Sequence, residues 1–263
     1  YILKFMSVQV VYKNKSNTSN TGVVALFIDQ NNKLKAHINT LKKEHFSYLS
    51  KILAKKKKNT KRIFLINLDE NTTAVIISLR KNEDKNELEN LGAKFFDFLK
   101  ENSIDKISIF RQSFDKIKSI TNLFDNFVHG LKLKSYEFNT YKSKKTNKKF
   151  NIEIIGRNEH KNLNRFKALE EGIFYTRDLV SEPGNILHPD EYAKRLVKLR
   201  KYGLDVKIYD EKKLKKFGCR ALLGVGQGSV RGSYLVTLEW KGLRSKNKPL
   251  SFVGKGVCFD TGG

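Results

Sequence analysis

The chain has 263 residues and a formal net charge of +25, from 52 Lys and Arg against 27 Asp and Glu. Hydrophobic residues make up 39% and aromatic ones 11%, enough to fill one large core or two ordinary ones. No apolar run approaches the ~20 residues that a membrane helix needs, and two cysteines without a C-x-x-C spacing point away from a disulfide framework, a zinc knuckle or a redox pair.

In chain order, residues 6–12 and 22–29 are rich in β-branched and aromatic side chains and predict strands. Leu41, Phe46, Tyr48, Leu49, Ile52 and Leu53 predict a helix. Ile63–Leu68 and Ala74–Leu79 are strand-length apolar runs joined by a turn-like Asp-Glu-Asn-Thr. Leu88, Leu91, Phe95, Phe96 and Leu99 recur at helical spacing. Ile107–Phe110 predicts another strand, and Ile117, Ile120, Leu123, Phe124, Phe127 and Leu131 a second long helix stopped near Gly130. The only methionine, Met6, precedes the first strand-like run, so translation is expected to begin there, with residues 1–5 as upstream sequence.

The Asn/Lys/Ser/Thr-rich stretch 139–149 breaks this alternation and predicts a boundary. A strand over 150–155 and a long helix from Leu163 through Leu179 toward Glu182 follow, ended by Pro183-Gly184. Pro189 opens the next helix, because a proline N–H is not missed at the first helical position. Asp190 and Glu191 lie in its first turn and Arg195, Lys198 and Arg200 toward its end, as the helix dipole favours. Gly203 is a natural stop. Val206–Tyr209 is a strand, 211–217 a short helix, Tyr234–Trp240 an alternating strand and Leu250–Val253 a last strand. The fold class expected is α/β. An N-terminal α/β layer domain with a mixed sheet occupies residues 1–149, a connecting strand and helix 150–182, and the start of a second α/β domain 183–263.

Lys255 and Asp260 carry the chemistry of the final stretch. They are flanked by Gly254, Gly256, Gly262 and Gly263 and separated by apolar residues that include Val257, Cys258 and Phe259. Charges in such chain are costly unless paired. A metal ion is one partner, binding the carboxylate directly and the lysine only as neutral amine. Spacing alone leaves a second reading open, an exposed loop with a solvated pair, which is the usual state of Gly-Lys-Gly. The five histidines show no H-E-x-x-H spacing. Gly224-Val-Gly-Gln-Gly-Ser229 is neither a dinucleotide fingerprint nor a nucleophile elbow, and its glycines predict tight turns. Cys258 is expected to be a small buried hydrophobe, and two unpatterned thiols suggest a reducing compartment. The basic runs at 55–62 and 142–149 raise nucleic acid as a partner, but lysine outnumbers the arginine that phosphate readout favours.

Four segments in order carry a resemblance. Ser251-Phe-Val-Gly-Lys-Gly-Val-Cys-Phe-Asp-Thr-Gly-Gly263 resembles the metal-binding signature of the leucyl (cytosol) aminopeptidase family, with Thr261 for the usual serine. Arg177-Asp-Leu-Val-Ser-Glu-Pro-Gly-Asn185 is similar to that family's RDLxNEPxN turn, with Ser181 for asparagine. Leu223–Ser229 resembles its VGQGS segment, and Phe138–Lys145 its linker. The resemblance covers roughly residues 120–263. It implies a zinc-peptidase-like catalytic domain of which 183–263 is the truncated start. It further implies two divalent metals, zinc or manganese, with Asp260 bridging both and Lys255 binding one. Peptides with a free N-terminus would be the substrates, a homohexamer the assembly and the cytoplasm the compartment. It places the catalytic lysine and arginine beyond Gly263, so no catalytic residue is expected here and the chain alone is expected to be inactive. The alternative of another class is a basic nucleic-acid-binding module on the same scaffold; a membrane is not expected as partner.

Overall fold

The computed structural model describes residues 7–14, 22–34, 41–56, 61–118, 123–143, 148–156, 162–243 and 248–259. Met6, residues 57–60 and 144–147 of the basic runs, and Asp260 lie outside them. The chain divides into two compact units, Tyr1–Thr176 and Arg177–Gly263.

The first unit is built on a six-stranded sheet of order β1-β6-β5-β2-β4-β3. Its strands are β1 (Val8–Lys13), β2 (Gly22–Ile28), β3 (Ile63–Asn67), β4 (Thr72–Ser78), β5 (Lys106–Phe110) and β6 (Phe150–Ile155). All neighbours are parallel except the antiparallel β3–β4 pair, whose short connection needs no crossover. The period of two sends alternate side chains of β2 to opposite faces. Ala25 and Phe27 pack with α2 (Lys85–Glu101) and α4 (Leu123–Lys134), while Val24, Leu26 and Ile28 pack with α1 (Lys43–Lys55). Helices on both faces explain why the central strands are apolar throughout. Phe27 anchors the larger face, meeting Phe114 and Phe127 edge-on at 5.2 and 5.3 Å between centroids.

α2 begins with the reciprocal hydrogen bonds of Asp84 and Glu87, which satisfy two otherwise orphaned N–H groups. It then runs against α4 at a pair of glycines. A Cβ on Gly92 would stand 1.9 Å from the Phe127 carbonyl oxygen, and one on Gly130 1.9 Å from that of Glu89. This corrects the sequence reading in which Gly130 stops a helix begun near Ile117. A short helix α3 (Arg111–Asp115) follows β5, the second helix is described from Leu123, and it continues past Gly130 to Lys134. Gly130 is a contact residue, kept side-chain-free so that two backbones can touch.

Helix α5 (Leu163–Ser181) crosses the division between units. The second unit contains α6 (Pro189–Val197), a 3-10 turn over Lys198–Tyr202 ended by Gly203 at φ 87°, α7 (Glu211–Lys216) and α8 (Arg220–Gly226). Its sheet is one antiparallel pair, β7 (Asp205–Tyr209) with β8 (Leu235–Glu239). Leu187, Ala193, Val206 and Leu214 are buried in it. Residues 250–253, expected as a strand, join no ladder among the described residues. A strand needs a neighbour's backbone groups, and no neighbour lies beside them there. Among the described residues no helix is long and apolar enough to cross a membrane.

Gly92→Ala or Gly130→Ala is expected to destabilise the protein by at least the ~1–3 kcal/mol typical of overpacking. Gly172→Ala in α5, where a Cβ meets nothing within 4 Å, should be neutral or stabilising by up to ~1 kcal/mol. Urea midpoints compared at constant slope check this.

Candidate functional site

Three of the four segments singled out in the sequence come together around the first turn of α6. The turn after α5 is closed by the Pro183 carbonyl, which accepts from the N–H groups of Ile186 and Leu187, both at 2.9 Å. It is tied to α6 through Arg195, which donates to Glu182 at 2.9 Å and to Glu191 at 3.1 Å. The loop before β8 is tied to the same turn. The Tyr234 hydroxyl donates to Asp190 Oδ1 at 2.7 Å and Arg231 Nη1 to Oδ2 at 3.3 Å. Ser229, last residue of the 223–229 segment, accepts from the Arg231 N–H at 3.0 Å.

The Lys255 loop makes the third approach. A Cβ on Gly256 would lie 2.8 Å from Cε1 of Tyr192, and one on Gly184 would lie 3.0 Å from the Cys258 carbonyl oxygen. The 177–185 and 251–259 segments are therefore in contact through Gly184, and the 251–259 segment meets α6 through Gly256. Two expectations need correction. Gly224 and Gly226 sit in helix α8 and do not form tight turns. Cys258 is half-buried, between an exposed Val257 and an exposed Phe259. The apolar loop side chains lie open because no layer of described chain covers them; Phe252 and Val253 are 90% and 99% exposed.

Lys255 is exposed, and among the described residues its amine enters no hydrogen bond or ion pair. Asp260 lies outside the described residues. The described residues hold no group of three or more His, Cys, Asp and Glu able to bind a metal. Among the described residues the donor chemistry fits a metal pair in kind and falls short in number: it offers one exposed amine on a glycine-flanked loop, and an amine ligates only in its neutral form.

Hydrogen bonding from Tyr234 is the main cause holding the Asp190 carboxyl below its ordinary value of 3.8, with Arg231 assisting, while the bond to Asp190 pushes the Tyr234 hydroxyl up. Burial raises the Cys258 thiol, which makes it a poor nucleophile. Asp190 and Glu191 are thus engaged in tethers: Asp190 to Tyr234 and Arg231, Glu191 to Arg195. In the first unit, a cavity of about 20 Å³ is lined by Tyr12, Asp125, His129, Lys132 and Glu170 among others. It has room for one water. Burial there raises Tyr12 to about 12, and the His129 ring lies 3.2 Å from the Glu170 carboxylate.

Comparison with known proteins supplies a family likeness for part of the chain. Residues 174–263 match the catalytic-domain model of the cytosol aminopeptidase family. Over these residues the chain is similar to that family. A probable cytosol aminopeptidase of Agrobacterium fabrum is 45% identical over 148 residues, 52% of this chain and 30% of the relative. One from Phytoplasma australiense is 37% identical over 193 residues, 72% of this chain and 39% of the relative. The chain thus spans between 30% and 39% of the length of these two relatives. Among solved structures, a mutant tomato leucine aminopeptidase superposes with a TM-score of 0.65, covering 89% of this chain and 50% of the other at 16% identity. At that identity the likeness is one of fold, and it agrees with the mixed α/β architecture.

Tyr234→Phe should return the Asp190 carboxyl toward 3.8, followed by carbon-detected NMR titration. Because the folded value is depressed, the tether contributes fully above the unfolded pKa and is lost as pH falls through the lower, folded value. The variant should therefore lose stability above about pH 4 and differ little from the parent at lower pH.

Proposed function

We propose that the chain is the part of a metal-dependent aminopeptidase that contributes Lys255 and Asp260 to a pair of divalent ions, zinc or manganese. The observation that supports this reading is the family match over residues 174–263, which ends on the segment holding both side chains. Asp260 has two carboxylate oxygens and so can serve two ions at once. Lys255 can donate only its neutral amine, which requires strong positive charge beside it. When bound, such ions polarise a peptide carbonyl and lower the pKa of a water.

The chain's own residues have a narrower task. They hold an amine and a carboxylate on one glycine-flanked loop and back that loop with α6. The substrates would be peptides with a free N-terminus, and the product the released N-terminal residue. A homohexamer in the cytoplasm is the expected setting. Lys255 and Asp260 alone do not close a metal site, and on this reading further donors complete it.

The 263-residue chain, supplied with Mn²⁺ or Zn²⁺, is expected to release no leucine from a leucine amide and to bind either ion weakly in calorimetry. Robust turnover by the chain alone would refute the incomplete-site reading. In a longer protein that carries this chain and hydrolyses the substrate, Lys255→Ala and Asp260→Ala should each lower kcat by about a hundredfold or more, since even outer-shell metal partners are worth about ten- to a hundredfold. Unchanged turnover in both would end the metal assignment.

A further inference from the structure

We infer that Tyr192 is a positioning residue for Lys255, acting through Gly256. The contact is geometric and independent of any assigned activity; its purpose rests on the metal reading of Lys255 proposed above. Residues 251–257 are exposed and belong to no helix or ladder among the described residues, so little of their own backbone orders them. One internal bond is present, from the Val257 N–H to the Lys255 carbonyl at 3.1 Å. Against this loop stands one ring. A Cβ at position 256 would be 2.8 Å from Cε1, 3.4 Å from Cδ1 and 3.8 Å from Cζ of Tyr192, so the Gly256 backbone lies directly on the ring edge and leaves no room for a side chain.

Tyr192 stands on a fixed base. Its N–H bonds the His188 carbonyl at 2.9 Å, the next residue, Ala193, is 4% exposed, and Arg195 one turn on is held by two carboxylates. Trans-linked Cα atoms are 3.8 Å apart, so holding Gly256 leaves Lys255 one peptide unit from a fixed point, with few soft torsions to set its direction. Metal ligands must be held to within about 0.5 Å, and a lysine on an unsupported loop would not be. The second contact, Gly184 on Cys258 and Phe259, holds the other side of the same loop. The two glycines act as a pair of seats, with the ring as the one side chain between α6 and the amine.

Trypsin reports loop order at the Lys255–Gly256 bond without metal or turnover. In the 263-residue chain the cut is followed by mass spectrometry and compared with the cut after exposed Lys241 in the same unit. Tyr192→Ala should speed the Lys255 cut by about tenfold, because cleavage follows the population of the open form, and leave the Lys241 cut unchanged. Tyr192→Phe should restore the parent rate, since the ring edge and not the hydroxyl makes the contact. An unchanged Lys255 rate in Tyr192→Ala would overturn the inference. So would equal acceleration at Lys241, which would show an effect on the unit as a whole. If the pattern holds while Lys255→Ala keeps full turnover in the longer protein, the positioning stands and the metal reading falls.

Discussion

The first turn of α6 is the constraint on which the second unit depends. Three consecutive side chains there each hold a different stretch of chain: Asp190 the loop before β8, Glu191 the Arg195 bridge to Glu182, and Tyr192 the Lys255 loop. A helix start is suited to this. Its carboxylates are favoured by the dipole, and its residues project in different directions at close intervals, so loops distant in sequence can be tied to one rigid point. Among its described residues the unit has few other means of order, with one strand pair and few buried apolar residues. Hydrogen bonds to charged groups, each worth ~1.5–3 kcal/mol where desolvated and less where exposed, therefore carry a larger share of its organisation than in the first unit.

The first unit is ordered differently. Its central strands are buried on both faces, and its tightest constraint is steric: α2 and α4 touch backbone to backbone at Gly92 and Gly130. That approach brings Leu88, Leu91, Phe95, Phe124, Phe127 and Leu131 into one apolar layer with the sheet. Burial supplies the stability, and two missing side chains set the distance at which it is realised. The Lys255 loop applies the same device on a smaller scale, with Gly256 and Gly184 permitting contacts that any Cβ would push apart.

The exposed apolar surface of the second unit and Lys255 fall on one stretch. Leu250, Phe252 and Val253 are each more than 80% exposed, and the same exposed run carries Lys255. Contiguous apolar surface of this kind marks a site of contact with further chain. On the metal reading proposed above, a lysine amine becomes a ligand only when burial and positive charge strip its proton, so covering this face and completing the donor set would be parts of one requirement.

Most elements were legible in the sequence, because local signals specify them. A β-branched and aromatic run marked β2 and a strand-length apolar run β4, the Leu/Phe spacing marked α2, and Pro189 with its acidic first turn marked α6. The convergence of residues 177–185, 223–229 and 251–259 was legible only as a family resemblance. Two readings failed for one reason. Gly130 as a helix stop and Leu250–Val253 as a strand each treated as local a property that belongs to neighbours. Gly130 is a stop signal until the Glu89 backbone is found against it, and an extended run is a strand only beside a partner. The amino-acid sequence by itself determined most elements, their order and the pairing of Lys255 and Asp260 on one glycine-flanked stretch. The tertiary structure alone decided that Tyr192 lies against Gly256, that Asp190 tethers the loop before β8, and that the Lys255 loop lies open, because each depends on which distant atoms come within a few ångströms.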